Sequence, residues 1–307
     1  MDRLPTLRQL QHFIALSEHL HFGRAASAIH VTQSTLSASL KELEAILGAP
    51  LVDRTKRSVV LTPLGHEIAG RARLLLAEAE DLTQAAKAVR APLSGSIRLG
   101  VIPTIAPFVL PYVLPQLRRR YPSLLLFLVE DLTERLVAAL RDGALDAALI
   151  ALPFDTPGLE TLTLFDDPFV LAARADHPLM AGKTPTDEAV QAERLLLLRD
   201  GHCMRDHALS ACGVHAPRHD DAFEATSLML GTSLHTLVQM VDNGLGITLL
   251  PQMAVARGLL KGTSLATRPL SGDAPAREIA LVWRKGTLRR AEFELLGREF
   301  KTLLKTK

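Results

Sequence analysis

Apolar positions in the first 65 residues recur every three or four places, the period of helices resting on a shared core. Leu7, Leu10, Phe13, Ile14 and Leu16 mark one face of a helix that Thr6 can cap and that runs to about Leu20. A short second helix, Gly23 to Ile29, carries Ala25, Ala26 and Ala28, small enough for close packing. Thr32 suits the N-cap of a third helix, Gln33 to Leu47, whose buried stripe is Leu36, Leu40, Leu43, Ile46 and Leu47 and whose stop is Gly48. Gln33, Ser34, Ser37 and Lys41 fall on the outward side near its start. A short helix, a tight turn and a second helix led by polar residues is the arrangement that seats a helix in a DNA major groove. Leu51 to Leu61 reads as two short strands around a basic turn holding Arg54, Lys56 and Arg57, a wing suited to phosphate contact. An ordinary small helical domain with solvated polar faces fits the same spacing.

From His66 to Arg90 the pattern lengthens. Ile68, Ala72, Leu75, Ala79, Leu82, Ala86 and Val89 alternate at four and three, a heptad seam on which two such helices can pair. Ala91-Pro92-Leu93-Ser94-Gly95 ends the helix and forms a hinge. Strand-like and helix-like stretches then alternate. The pattern predicts strands near 97–102, 124–130, 145–152, 162–165, 169–173, 195–198, 222–225, 247–250 and 278–284. Helices are predicted near 107–120, 132–141, 233–241 and 288–304. Such alternation builds α/β sheets with helices on their faces.

At 307 residues the chain exceeds what one core usually supports, so two or more lobes are expected. Its 48% apolar content excludes global disorder. A formal charge of +2 means that any nucleic-acid surface must be local. The apolar run Leu124 to Val129 is strand-sized, too short for a membrane span. The start, Met1-Asp2-Arg3-Leu4-Pro5, lacks a signal peptide's apolar stretch, so the cytoplasm is the expected compartment and no membrane the expected partner. Asn243-Gly244-Leu245-Gly246 lacks a third glycine and precedes a strand, which makes it a helix cap and turn rather than a dinucleotide loop. No nucleophile elbow or paired carboxylates stand out, so a substrate-turning enzyme is not supported.

Cys203 and Cys212, nine residues apart, are the only cysteines. On one helix they would be separated by about 13.5 Å along the axis and face opposite ways. A disulfide needs Cα atoms about 4.4–6.8 Å apart. Bonding would therefore unravel such a helix, which is the logic of a redox switch. Two other readings stand beside it. Both cysteines could be small buried hydrophobes, or His202, Cys203, His207, Cys212, His215 and His219 could hold zinc, although no compact Cys-x2–4-Cys knuckle is present. The absence of Cys-x-x-Cys argues against a thioredoxin-like oxidoreductase.

Several motifs in order carry a resemblance: Phe22-Gly23-Arg24-Ala25-Ala26, Thr32-Gln33-Ser34-Thr35-Leu36-Ser37, Leu43-Glu44, Gly48, Leu51-Val52-Asp53-Arg54 and Leu61-Thr62-Pro63-Leu64-Gly65. Together they resemble the winged helix-turn-helix of LysR-type transcriptional regulators. Ser34 stands where that family commonly has proline. The resemblance implies an α/β regulatory domain of two periplasmic-binding-protein-like lobes, preceded by an all-α winged helix-turn-helix domain and a long linker helix. Residues 1–65 would be the DNA-binding domain, 66–95 the linker and hinge, and 96–307 the sensor. Its first lobe would hold about 96–165 with 267–307, and its second about 166–266.

Leu198-Arg199-Asp200-Gly201-His202-Cys203-Met204-Arg205-Asp206-His207-Ala208 with Cys212 further resembles the sensing segment of the family's peroxide-responsive activators. The likeness continues through Ile102-Pro103-Thr104, Phe165-Asp166-Asp167-Pro168 and Gly246 to Pro251. It implies that Cys203 is the peroxidatic cysteine and Cys212 the resolving one. Thr104 and Thr133 would orient peroxide, His202, Arg205 and Asp206 would surround the thiol, and Arg277 would reach in from the other lobe. The implied partners are double-stranded operator DNA, RNA polymerase, and thioredoxin or glutaredoxin with glutathione as reductant. A dimer of dimers is implied, with no cofactor and no metal. The competing readings are a regulator whose cleft holds a metabolite and, from another class, a thiol peroxidase, for which a DNA reader would be superfluous.

Overall fold

The computed structural model describes residues 4–54, 59–88, 91–182, 184–198, 204, 233–270 and 276–305. The N-terminal helices are α1 (Leu7–His19), α2 (Phe22–Ala28) and α3 (Gln33–Leu47). Their ends are set locally. Thr6 Oγ1 accepts from the Gln9 amide at 3.2 Å while the Thr6 amide donates to Gln9 Oε1 at 2.9 Å, a reciprocal capping box. Thr32 Oγ1 caps α3 through the Thr35 amide, and Gly48 closes it at φ 71°. Phe13, Leu16, Leu36, Leu40 and Leu43 form the core between them.

The wing is an antiparallel pair, β1 (Val52–Arg54) and β2 (Val59–Leu61), with Val52 opposite Leu61. Glu44 Oε1 accepts from the Leu51 amide at 2.8 Å, which pins the wing to α3. A single helix, α4 (Pro63–Ala88), follows directly. Thr62 Oγ1 caps it through the Gly65 amide, and a Cβ on Gly65 would sit 2.1 Å from the Leu51 carbonyl oxygen. Only glycine lets helix and wing approach that closely. Over its 26 residues α4 is about 39 Å long at the α-helical rise. Ile68 and Ala72 of the predicted seam pack on the core of α1–α3, whereas its Leu75 and Leu82 are 56% and 62% exposed.

Two further sheets follow α4. The first orders β4 (Leu124–Glu130), β3 (Gly95–Val101), β5 (Ala147–Leu152), β10 (Arg277–Arg284) and β6 (Leu159–Asp167). Strand β3 is parallel to both neighbours, and β10 is antiparallel to both of its own. Helices α5 (Ala106–Arg120), α6 (Thr133–Arg141) and α10 (Arg290–Lys305) contribute buried apolar faces to its core. The second sheet is antiparallel: β8 (Thr248–Pro251), β7 (Phe169–Arg174) and β9 (Leu265–Pro269). Its core includes residues of α8 (Leu234–Asp242) and α9 (Gln252–Ala256), with Val190 of α7 (Asp187–Gln191).

The chain thus crosses between sheets at Pro168 and again after Leu270. Because β9 pairs with β7, residues 267–269 belong to the second lobe, not the first, and β6 extends the first lobe to Asp167. The stretch 195–198, predicted as a strand, forms only a bridge from Leu195 to Ile247. The predicted strand at 222–225 lies outside the described residues.

A buried polar cluster joins α4 to the first lobe. Asp81, 2% exposed, accepts from Thr287 Oγ1 at 2.7 Å and lies 3.8 Å from Arg284 and 3.9 Å from Arg289. Arg289 in turn donates to Glu292 at 2.7 Å and to the Ser96 carbonyl at 2.9 Å. Asp146 holds Arg98 at 2.7 Å beside them. Burial raises the Glu292 carboxyl above its ordinary value, against the opposing pull of Arg289.

Candidate functional site

Strands β3 and β4 end at one edge of the first sheet, and each is followed by a buried threonine. Thr104 lies in the turn between β3 and α5, and Thr133 opens α6 after β4; they are 3% and 2% exposed. Ligands in α/β folds gather at such carboxyl ends. Arg277, the first residue of β10, reaches Thr104 and is 1% exposed. Its Nη1 donates to Thr104 Oγ1 at 2.9 Å, and its Nη2 to the Thr104 carbonyl at 3.2 Å. The same guanidinium donates twice to Asp167 Oδ2, at 2.9 and 2.8 Å. Asp167 Oδ1 accepts from the Met253 amide at 2.8 Å. One carboxylate therefore ties the arginine of the first lobe to α9 of the second.

The sequence had singled out Thr104 and Arg277, and the structure brings them into direct contact. It places Thr133 at the carboxyl end of the adjacent strand. Cys203, Cys212, His202, Arg205 and Asp206 lie outside the described residues, as do the remaining residues of the zinc reading. Met204, between two of them, is 1% exposed in the core of the second lobe.

Asp167 was not among the candidates. Period-two alternation from Leu162 and Leu164 points Asp166 inward. A bulge in the pairing of β6 with β10 intervenes: Ile279 opposes Phe165 while Ala280 opposes Thr163. The extra residue shifts the phase, so Asp167 is buried and Asp166 exposed. The signal available in the sequence was a second acidic residue directly before a proline, which does not say which of the two turns in.

On the reader, Gln33, Ser34 and Lys41 are exposed along α3 and Ser37 is half-buried. The Ser34 hydroxyl lies 2.8 Å from that of Thr32, so it also braces the cap. Arg54 ends β1, and Lys56 and Arg57 fall outside the described residues. No helix among the described residues is long and apolar enough to cross a membrane.

Comparison with known proteins agrees with this architecture. Residues 7–66 match the bacterial regulatory helix-turn-helix of the lysR family, and residues 90–305 match the LysR substrate binding domain. The HTH-type transcriptional regulator EstR of Acinetobacter baylyi is 41% identical, over 96% of each chain. A probable hydrogen peroxide-inducible genes activator of Streptomyces viridosporus is 42% identical over 96% of this chain and 93% of its own. Among solved structures, full-length OxyR from Pseudomonas aeruginosa, carrying a cysteine-to-aspartate substitution, superposes with a TM-score of 0.80. It is 36% identical, and the match covers 97% of this chain and 95% of that one. With both of its characteristic domains present in order along nearly the whole length, the chain belongs to the LysR family of bacterial regulators.

Proposed function

We propose that this chain is a DNA-binding transcriptional regulator that senses hydrogen peroxide by oxidation of Cys203 and reversible disulfide formation with Cys212. The observation that carries the reading is the buried Arg277–Thr104 contact, a fixed cation and a hydroxyl at the carboxyl end of β3. Two cysteines in the segment around Met204 and the likeness to peroxide-inducible activators support it.

The Cys203 thiolate attacks one peroxide oxygen. The O–O bond breaks, the second oxygen takes a proton and leaves as water, and the sulfur is oxidised to sulfenic acid. Negative charge grows on the departing oxygen, so preset donors and a cation lower the barrier. The Cys212 thiol then displaces the sulfenic hydroxyl as a second water, giving the disulfide. Closing this ten-residue loop is worth about 3 kcal/mol in the chain-entropy estimate, enough to repack a local segment. A dithiol such as thioredoxin, or glutathione with glutaredoxin, returns two electrons. Paired readers on a dimer of dimers hold operator DNA, and the rearranged assembly engages RNA polymerase.

Mass spectrometry after one equivalent of peroxide tests the chemistry. Parent protein is expected to lose both thiols, Cys203→Ser to stay inert, and Cys212→Ser to stop at sulfenic acid. Unmodified thiols in the parent would leave the metabolite-responsive reading in force, and sustained peroxide turnover with excess reductant would favour a peroxidase. For the DNA arm, replacing Lys56 or Arg57 by alanine should reduce the slope of log affinity against log salt by roughly 0.9 for each lost phosphate contact. Gln33→Ala should instead alter base preference at one position.

A further inference from the structure

The chain crosses between its two sheets at Pro168 and again after Leu270, and one buried ion pair joins the two crossings. Asp167 ends β6 just before the first, and Arg277 opens β10 just after the second. Asp167 uses both oxygens: Oδ2 accepts two Arg277 N–H groups, and Oδ1 accepts the Met253 amide of α9. The adjacent Gln252 amide donates to the Pro168 carbonyl at 2.8 Å, which holds α9 to the same corner. The carboxylate is thus fixed by backbone as well as by its cation.

That anchorage decides what Arg277 has left to offer. A guanidinium carries five N–H donors in a rigid fork. Nε and Nη2 each give one to Asp167, Nη2 gives its second to the Thr104 carbonyl, and Nη1 gives one to the Thr104 hydroxyl oxygen. Among the described residues, one Nη1 hydrogen is left over. The Thr104 hydroxyl, an acceptor toward Arg277, keeps its own hydrogen to donate elsewhere. The ion pair therefore presets two donors at the carboxyl end of β3. We propose that Asp167 is a positioning residue for peroxide reduction. It touches no reacting atom, but it holds the Arg277 fork so that Nη1–H and the Thr104 hydroxyl hydrogen serve the departing oxygen. This role rests on Cys203 as the peroxide target. Donors fixed in advance where charge develops cost no reorganisation during the reaction. Without the carboxylate the fork would be free to turn, because a neutral partner holds a guanidinium less tightly.

The test uses the full chain carrying Cys212→Ser, which isolates the first oxidation step. Two rates are followed at Cys203: sulfenic acid formation with hydrogen peroxide, and alkylation by iodoacetamide, whose iodide leaves without a proton. Asp167→Asn is expected to slow the peroxide step roughly 100-fold, the loss typical of one preset donor, and the alkylation by less than about threefold. A residue needed only for folding would slow both rates together. Asp167→Glu, which keeps the carboxylate, should retain most of the peroxide rate. Thermal melts show which variants are folded. Should the asparagine variant fail to fold, Arg277→Lys carries the test: a single ammonium cannot face Asp167 and Thr104 as a fork does, so the same selective loss is expected. Parallel losses of both rates, or a folded Asp167→Asn or Arg277→Lys that reacts with peroxide as the parent does, would overturn the positioning role and leave Cys203 as the target. A parent chain whose Cys203 ignores peroxide would overturn the underlying reading as well.

Discussion

Arg277 and Asp167 are both out of solvent, and each owes its tolerable energy to the other. Charges buried at 0% and 1% side-chain exposure are stable only when paired and fully hydrogen-bonded. Asp167→Ala should therefore destabilise the protein by about 3–5 kcal/mol, because it strands a guanidinium in the interior. Thr104→Val should cost less, about 1.5–3 kcal/mol for one bond to a charged group. Urea unfolding midpoints check both, and equal losses would mean that Asp167 is not the principal anchor. Glu292 obeys a different balance. Burial holds its folded value above the ordinary 4.5, so the folded protein binds the proton more tightly than the unfolded chain does. Its contribution is fully present below 4.5 and is lost as pH rises through the raised folded value. Glu292→Gln, which keeps the length and cannot ionise, should gain stability relative to the parent as pH rises across that window. A difference that stays constant with pH would contradict the raised value.

At the scale of elements, what was legible was what is decided within a few residues. Thr6, Thr32 and Gly48 fixed the reader helices to within a residue or two, because caps satisfy backbone groups three or four positions away. Strand β9 was missed: Leu265 to Pro269 shows no alternation, and its residues are half-buried or exposed at a sheet edge. Its identity as a strand comes from pairing with β7, nearly a hundred residues earlier. Helix α9 has only five residues, too few for a periodic signal. Of the heptad expected on α4, Ile68 and Ala72 pack on the N-terminal core, and only further along do Leu75 and Leu82 stand exposed; we propose that these two meet a second copy. Placing glutamate at both positions should separate the paired linkers and halve the mass measured by sedimentation. Retention of the parent's mass would rule out this helix as the pairing element.

Over the whole molecule, the α4 helix carries the reader at one end and is fastened to the sensor at the other. Asp81 does the fastening, with Thr287, Arg284 and Arg289 drawn from the far end of the chain. Asp81→Ala should leave two arginines underpartnered and release the last turns of α4. Hydrogen exchange across residues 78–88 should then quicken while exchange in α3 stays unchanged. If α4 exchanges as before, the cluster is incidental to the junction. By itself the sequence determined the reader, the long linker, the alternating α/β sensor and the pair of cysteines, since caps, periods and residue types act locally. Only the tertiary structure decided where the chain crosses between lobes, which of Asp166 and Asp167 turns inward, and that Asp81 meets Arg289. Those outcomes depend on a bulge and on contacts between residues far apart in the chain, and no local pattern of side chains encodes which distant partner a buried charge will find.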